Sequence, residues 1–171
     1  MKINLLFAYF VLVTLAGAVT KQELAADNRA RIAATDLFRA GNPAAALDHL
    51  RSNLNLEAGP DGAVRGLVQN LTEMACTLYN RRELTLARTV LGAAIATAQP
   101  ILDRKSAVAD SRGSELVSAL GLLSEHVGHD ARQAGNLYDA ATALNPGNLV
   151  NADRKKAVVD RQKARAGAGG L

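Results

Sequence analysis

The stretch Glu125-His126-Val127-Gly128-His129-Asp130 is the one place where two imidazoles and two carboxylates stand together. Histidines three apart can share a helix face and a metal ion, and a carboxylate beside one can orient it for proton transfer. Gly128 interrupts that helix, however, and His49 is the only other histidine. The expected reading is a turn between two helices that holds no metal. There is no Gly-rich phosphate loop, no serine between glycines, and no Cys/His pair with a third group to orient it. Neither an enzyme nor a cofactor is expected.

Two further groups of residues invite chemistry and are better read as structure. Arg154, Lys155, Lys156, Arg161, Lys163 and Arg165 form a basic run, but Asp153 and Asp160 dilute it and no aromatic is interleaved for base stacking. With a formal net charge of only +4, no nucleic-acid partner is expected. Cys76 is the single cysteine, so no intrachain disulfide can form. It lies in an apolar helical run, where a small buried hydrophobe is the first reading and an intermolecular disulfide partner or a reactive thiol the alternatives. Asn70-Leu71-Thr72 fits a glycosylation acceptor, yet lies inside a strongly helical pattern.

The N-terminus has the order of a secretory signal: Met1-Lys2, an apolar stretch from Ile3 to Leu15, then Ala16-Gly17-Ala18. The apolar run is shorter than the roughly 20 residues of a membrane span. Residues 1–18 therefore read as a signal peptide cleaved after Ala18, giving an exported, periplasmic or secreted protein. The alternative is an uncleaved anchor in the inner membrane, the only case in which membrane contact is expected. Position 18 is alanine where a lipoprotein box needs cysteine, so lipidation by that route is excluded.

The elements that must position these residues are helical. Aromatics make up 4% of the chain and tryptophan is absent, so alanine, leucine and valine must fill the interior. A first helix is expected over about Lys21 to Arg39, with Leu24, Ile32, Ala33, Leu37 and Phe38 near one side. Asn42 offers a cap and Pro43 a first helical position for a second helix to about Leu56. Val64, Leu67, Val68, Leu71, Ala75 and Leu78 mark a third helix, and Leu84, Ala87, Leu91, Ala94 and Ile95 a fourth that Pro100 stops or kinks. A looser stretch from Ile101 to Val127 is open to a break at Ser111-Arg112-Gly113-Ser114. Asp130 and Gln133 form a capping-box-like start for a helix ending at Leu144. A charged last helix, about Leu149 to Ala164, has a thin apolar side of Ala152, Val158 and Val159 and suits a cap. With no alternating strand pattern, the fold class is all-α. Residues 19–165 form one domain and 166–171 a disordered tail.

Leu37-Phe38-Arg39-Ala40-Gly41-Asn42-Pro43 is the clearest of three hairpin turns in the chain. With Ala34, Leu37, Gly41, Ala46, Leu50 and Leu54 in a first copy, Leu71, Met74, Ala75, Leu78, Ala87, Leu91, Ala94 and Pro100 in a second, and Leu120-Gly121, Gly128, Ala134, Tyr138, Ala141 and Pro146 in a third, the chain resembles the tetratricopeptide repeat family. The turn positions Gly41, Arg82 and Gly128 are spaced wider than the family's period of about 34 residues, and the third turn needs one extra residue. The resemblance implies a TPR-like superhelix: about three stacked antiparallel helical hairpins plus a C-terminal capping helix.

The resemblance also implies a concave groove for a protein or peptide partner, lined by the first helix of each hairpin. The matching positions are Asn28, Arg31, Thr35 and Arg39; then Gln69, Thr72, Glu73, Cys76, Tyr79 and Asn80; then Glu115, Ser118, Leu122, Glu125 and His126. Such a wall is basic at one end and acidic at the other. Some family members clamp a terminal carboxylate with cationic and amide side chains. Here those positions read Arg31, Thr35, Glu73, Glu115 and Ala119, which excludes that clamp. A noncovalent scaffold is the expected function, and a membrane-anchored structural subunit of an envelope assembly the alternative.

Overall fold

The structure is a computed structural model that describes residues 21–104 and 108–168. The signal-peptide reading and residues 169–171 of the expected tail lie outside the described residues. Within them the fold is all-α, with no strand. The helices are α1 (Lys21–Arg39), α2 (Pro43–Asn53), α3 (Pro60–Asn80), α4 (Leu84–Thr97), the single turn α5 (Gln99–Leu102), α6 (Ser111–Leu123), α7 (Ala131–Leu144) and α8 (Leu149–Ala168). None is long and apolar enough to cross a membrane.

Three hairpins organise the chain: α1 with α2, α3 with α4, and α6 with α7. The first helices of neighbouring hairpins also touch, α1 with α3 and α3 with α6, and α8 packs on α7. Alanine makes this close approach possible. Ala34, Ala46, Ala75, Ala87, Ala94 and Ala141 are all fully buried between helices whose bulk comes from Phe38, Leu50, Leu71, Val90, Leu116 and Leu120.

The hairpins share one turn device. Gly41 has φ 76 and Arg82 has φ 68, and each ends its helix with the same pair of backbone bonds. Gly41 N–H donates to Phe38 and Asn42 N–H to Leu37, both at 3.0 Å; Arg82 N–H donates to Tyr79 and Glu83 N–H to Leu78, also at 3.0 Å. This is the left-handed C-terminal cap that satisfies the last carbonyls. In the third hairpin the left-handed residue is His129, at φ 55, one position beyond Gly128. The extra residue is taken up by a π turn over Ser124–Gly128, so that His129 and Asp130 both donate to the Ser124 carbonyl. Arg88 Nε satisfies the Val127 carbonyl from α4 at 2.9 Å.

Several sequence expectations are corrected here. Leu24 and Ile32 are exposed, because the buried side of α1 is Ala30, Ala34 and Phe38. The second helix stops at Asn53 rather than Leu56, where Leu54 turns into extended backbone. The stretch after Ile101 is broken, and α6 starts at Ser111 under the cap of Asp110, whose carboxylate accepts from Gly113 N–H at 2.9 Å. Among the residues of α8 whose burial is described, Asn151 and Val158 are buried, while Ala152 is exposed. That helix runs to Ala168, into the expected tail.

Candidate functional site

The expected groove wall is largely occupied by bonds within the protein. Arg31 donates from Nε to Asn70 Oδ1 at 2.6 Å and pairs with Glu73 at 2.7 Å, tying α1 to α3. Gln69 Nε2 donates to the same Glu73 at 3.2 Å. Arg31 and Glu73 thus neutralise each other where the first hairpin meets the second. Arg39 spans to Glu83 at 2.8 Å and also meets Asp36. Thr35 returns its hydroxyl to the Arg31 carbonyl.

Thr72 and Ser118 do not belong to an open wall. Thr72 is fully buried with its hydroxyl donated to the Val68 carbonyl at 2.7 Å, and Ser118 is buried and accepts from Arg154 of α8. Glu125 is likewise engaged by Arg161 of α8. Two arginines of the last helix therefore engage positions that were expected to line the groove. Tyr79 is half-buried and packs against the core. Cys76 is half-buried next to it; burial pushes its thiol pKa up, the Asn80 amide partly opposes this, and the Glu73 charge adds to it. His126 is half-buried in the π turn and His129 exposed beyond it. Among the described residues no group of three or more His, Cys, Asp or Glu stands together to hold a metal. Asn28, Asn80 and Glu115 remain exposed.

Glu115 belongs to a different feature, an open depression of about 620 Å³ where the first turns of α6 and α8 meet the end of α7. Its lining includes Ser111, Glu115, Asn145, Leu149, Val150 and Asp153. Leu149 is 72% exposed and Val150 52% exposed, two adjacent aliphatics that the core does not use. Residues around the depression are tied together by hydrogen bonds. Asp110 N–H donates to the Leu144 carbonyl at 2.7 Å, Ser114 Oγ to the Ala141 carbonyl at 2.7 Å, and Asn151 Nδ2 to Ser114 Oγ at 3.2 Å. Arg65 of α3 pairs with Asp110 at 2.7 Å and fixes this corner to the second hairpin. A smaller depression of about 300 Å³ lies between α1 and α2, beside Arg29, Ala33 and His49.

Sequence reasoning missed Leu149, Val150 and Asp153 because it treated α8 as a cap. The available signal was Leu149, shortly after Pro146-Gly147 and nine residues from Val158, which puts it on the opposite side of the helix from that buried valine. Comparison of the chain with known protein families, with curated proteins and with solved structures found no match.

Proposed function

We propose that this protein is an exported, noncatalytic scaffold of the tetratricopeptide-like kind, which binds a segment of another protein. One observation carries the reading: the depression between α6 and α8 presents Leu149 and Val150 to solvent beside residues that hydrogen bonds tie together. Exposed aliphatics in a preformed concavity are what a partner segment can bury without a cost of ordering the site. The two like-capped hairpins, the third closed by a one-residue-longer turn, and the touching first helices support the repeat-like reading of the stack. The wall along α1 and α3 contributes less, because its charges are already paired.

A photo-crosslinking residue placed at Leu149 in the native cell envelope is expected to trap a partner protein, whereas one at exposed Thr89 on α4 is not. Equal trapping at both positions would sink the assignment of the surface. Mass spectrometry of the mature chain is expected to find Val19 as its first residue. An intact Met1 in membranes would instead favour an anchored structural subunit.

A further inference from the structure

We infer that the segment taken by the α6/α8 depression is cationic as well as aliphatic, an inference that rests on the docking role proposed above and names its ligand. All 16 acidic residues of the chain lie in its described part. Every one except Glu115 and Asp153 accepts a hydrogen bond or takes part in an ion pair among the described residues. Both exceptions line this one depression.

Helix polarity does not account for them. Each is the fifth residue of its helix, counted from Ser111 and from Leu149, a full turn past the start, where the favourable effect of the dipole on a carboxylate has faded. The two carboxylates line the same depression as Leu149 and Val150, so a partner bearing lysine or arginine beside leucine or valine would meet both. The aliphatic stems of such cationic residues can themselves lie over the exposed apolar surface. Long-range attraction is not the source, since the chain as a whole carries +4 and repels a cationic segment at a distance. The recognition must be local.

The test uses the full chain and two blocked synthetic peptides, one alternating lysine with leucine and one alternating glutamate with leucine, followed by calorimetry. The lysine peptide is expected to bind. Its affinity should fall as salt rises from about 0.1 M to about 1 M, where the screening length shrinks from about 10 Å to about 3 Å. A Glu115→Gln, Asp153→Asn double variant should bind it at least about tenfold more weakly, the size of about 1.4 kcal/mol. All four positions tested are exposed, so circular dichroism should be unchanged. Equal binding of the glutamate peptide, or unchanged binding of the lysine peptide by the neutralised variant, overturns the cationic inference. In that event a Leu149→Ser, Val150→Ser variant separates the two claims: if it loses binding the docking surface stands, and if it does not, both fall.

Discussion

The ring of Tyr138 lies on the bare face of Gly121, so close that a β-carbon at position 121 would stand 2.7 Å from its Cε1. This contact joins α6 to α7 in the third hairpin and makes the glycine a packing requirement, although its backbone is ordinary helix. Gly121→Ala should therefore destabilise the protein by about 1–3 kcal/mol through overpacking. Gly92 in α4 is exposed and has nothing within 4 Å of the same position, so Gly92→Ala should stabilise by about 0.8–1 kcal/mol through helix propensity. Urea unfolding of both variants checks the pair, and the same sign for both would refute the packing argument.

Tyr138 also leads to a pH prediction. Its hydroxyl is fully buried with no hydrogen-bond partner among the described residues. Burial, and then the charge of Glu125, push its pKa up to about 12, against smaller opposite effects of Arg154 and Arg161. The folded state thus holds the proton more tightly than the unfolded chain, whose tyrosines titrate near about 10. Stability from this group is complete below about pH 10 and is lost as pH rises towards about 12. Tyr138→Phe should flatten that alkaline loss in denaturant titrations. At neutral pH the same change removes an unsatisfied buried group, so it should be neutral or stabilising by up to about 1–3 kcal/mol. A clear loss of stability at neutral pH would mean that the hydroxyl has a partner.

The left-handed turn residues give a third prediction. Arg82 takes φ 68 where the matching turn has Gly41 at φ 76, and a side chain in that region costs about 1–2 kcal/mol. Arg82→Gly should stabilise by roughly 1 kcal/mol, and Gly41→Ala should destabilise by a similar amount. Opposite shifts in thermal midpoint are expected. Were Arg82→Gly destabilising, the arginine would be contributing a contact larger than its backbone cost.

These turns were the most legible part of the fold, because Gly41, Asn42 and Pro43 state their backbone requirements locally. The helices were legible too, since their apolar period is repeated over several turns. What the sequence could not convey was which arc of a first helix meets its neighbour. Thr72 and Ser118 sit on polar-looking arcs, yet one is buried against the Val68 carbonyl and the other beneath Arg154. A period of 3.6 residues gives the angle around one helix, while the crossing of two helices decides what that angle faces. The π turn was hidden for a related reason: only the count of one surplus residue before Asp130 signalled it, not its type. Leu149 and Val150 escaped notice because a charged helix reads as a solvated one until its docking partners are known.

The docking of α8 provides the last prediction. Among the described residues, its apolar anchor is Val158, which joins Ala134 and Tyr138 in a cluster separate from the main core. The rest of its hold is polar: Asn151 to Ser114, Arg154 to Ser118, Lys155 to Asp139 and Arg161 to Glu125. The two ion pairs among these, at Lys155 and Arg161, are partly exposed, and such pairs contribute about 0–1 kcal/mol each and weaken in salt. The helix should accordingly open as a local unit well below the free energy of global unfolding. Hydrogen exchange is expected to be faster in α8 than in α3, and raising salt from about 0.1 M to about 1 M should speed α8 alone. Because Leu149, Val150 and Asp153 belong to α8, each opening also dismantles the depression. A lysine-leucine peptide that binds the docked form should therefore slow α8 exchange, by an amount worth about 2.7 kcal/mol at a hundredfold excess over its Kd. Equal exchange of α8 and α3, insensitive to both salt and peptide, would place α8 in the global folding unit and remove this coupling.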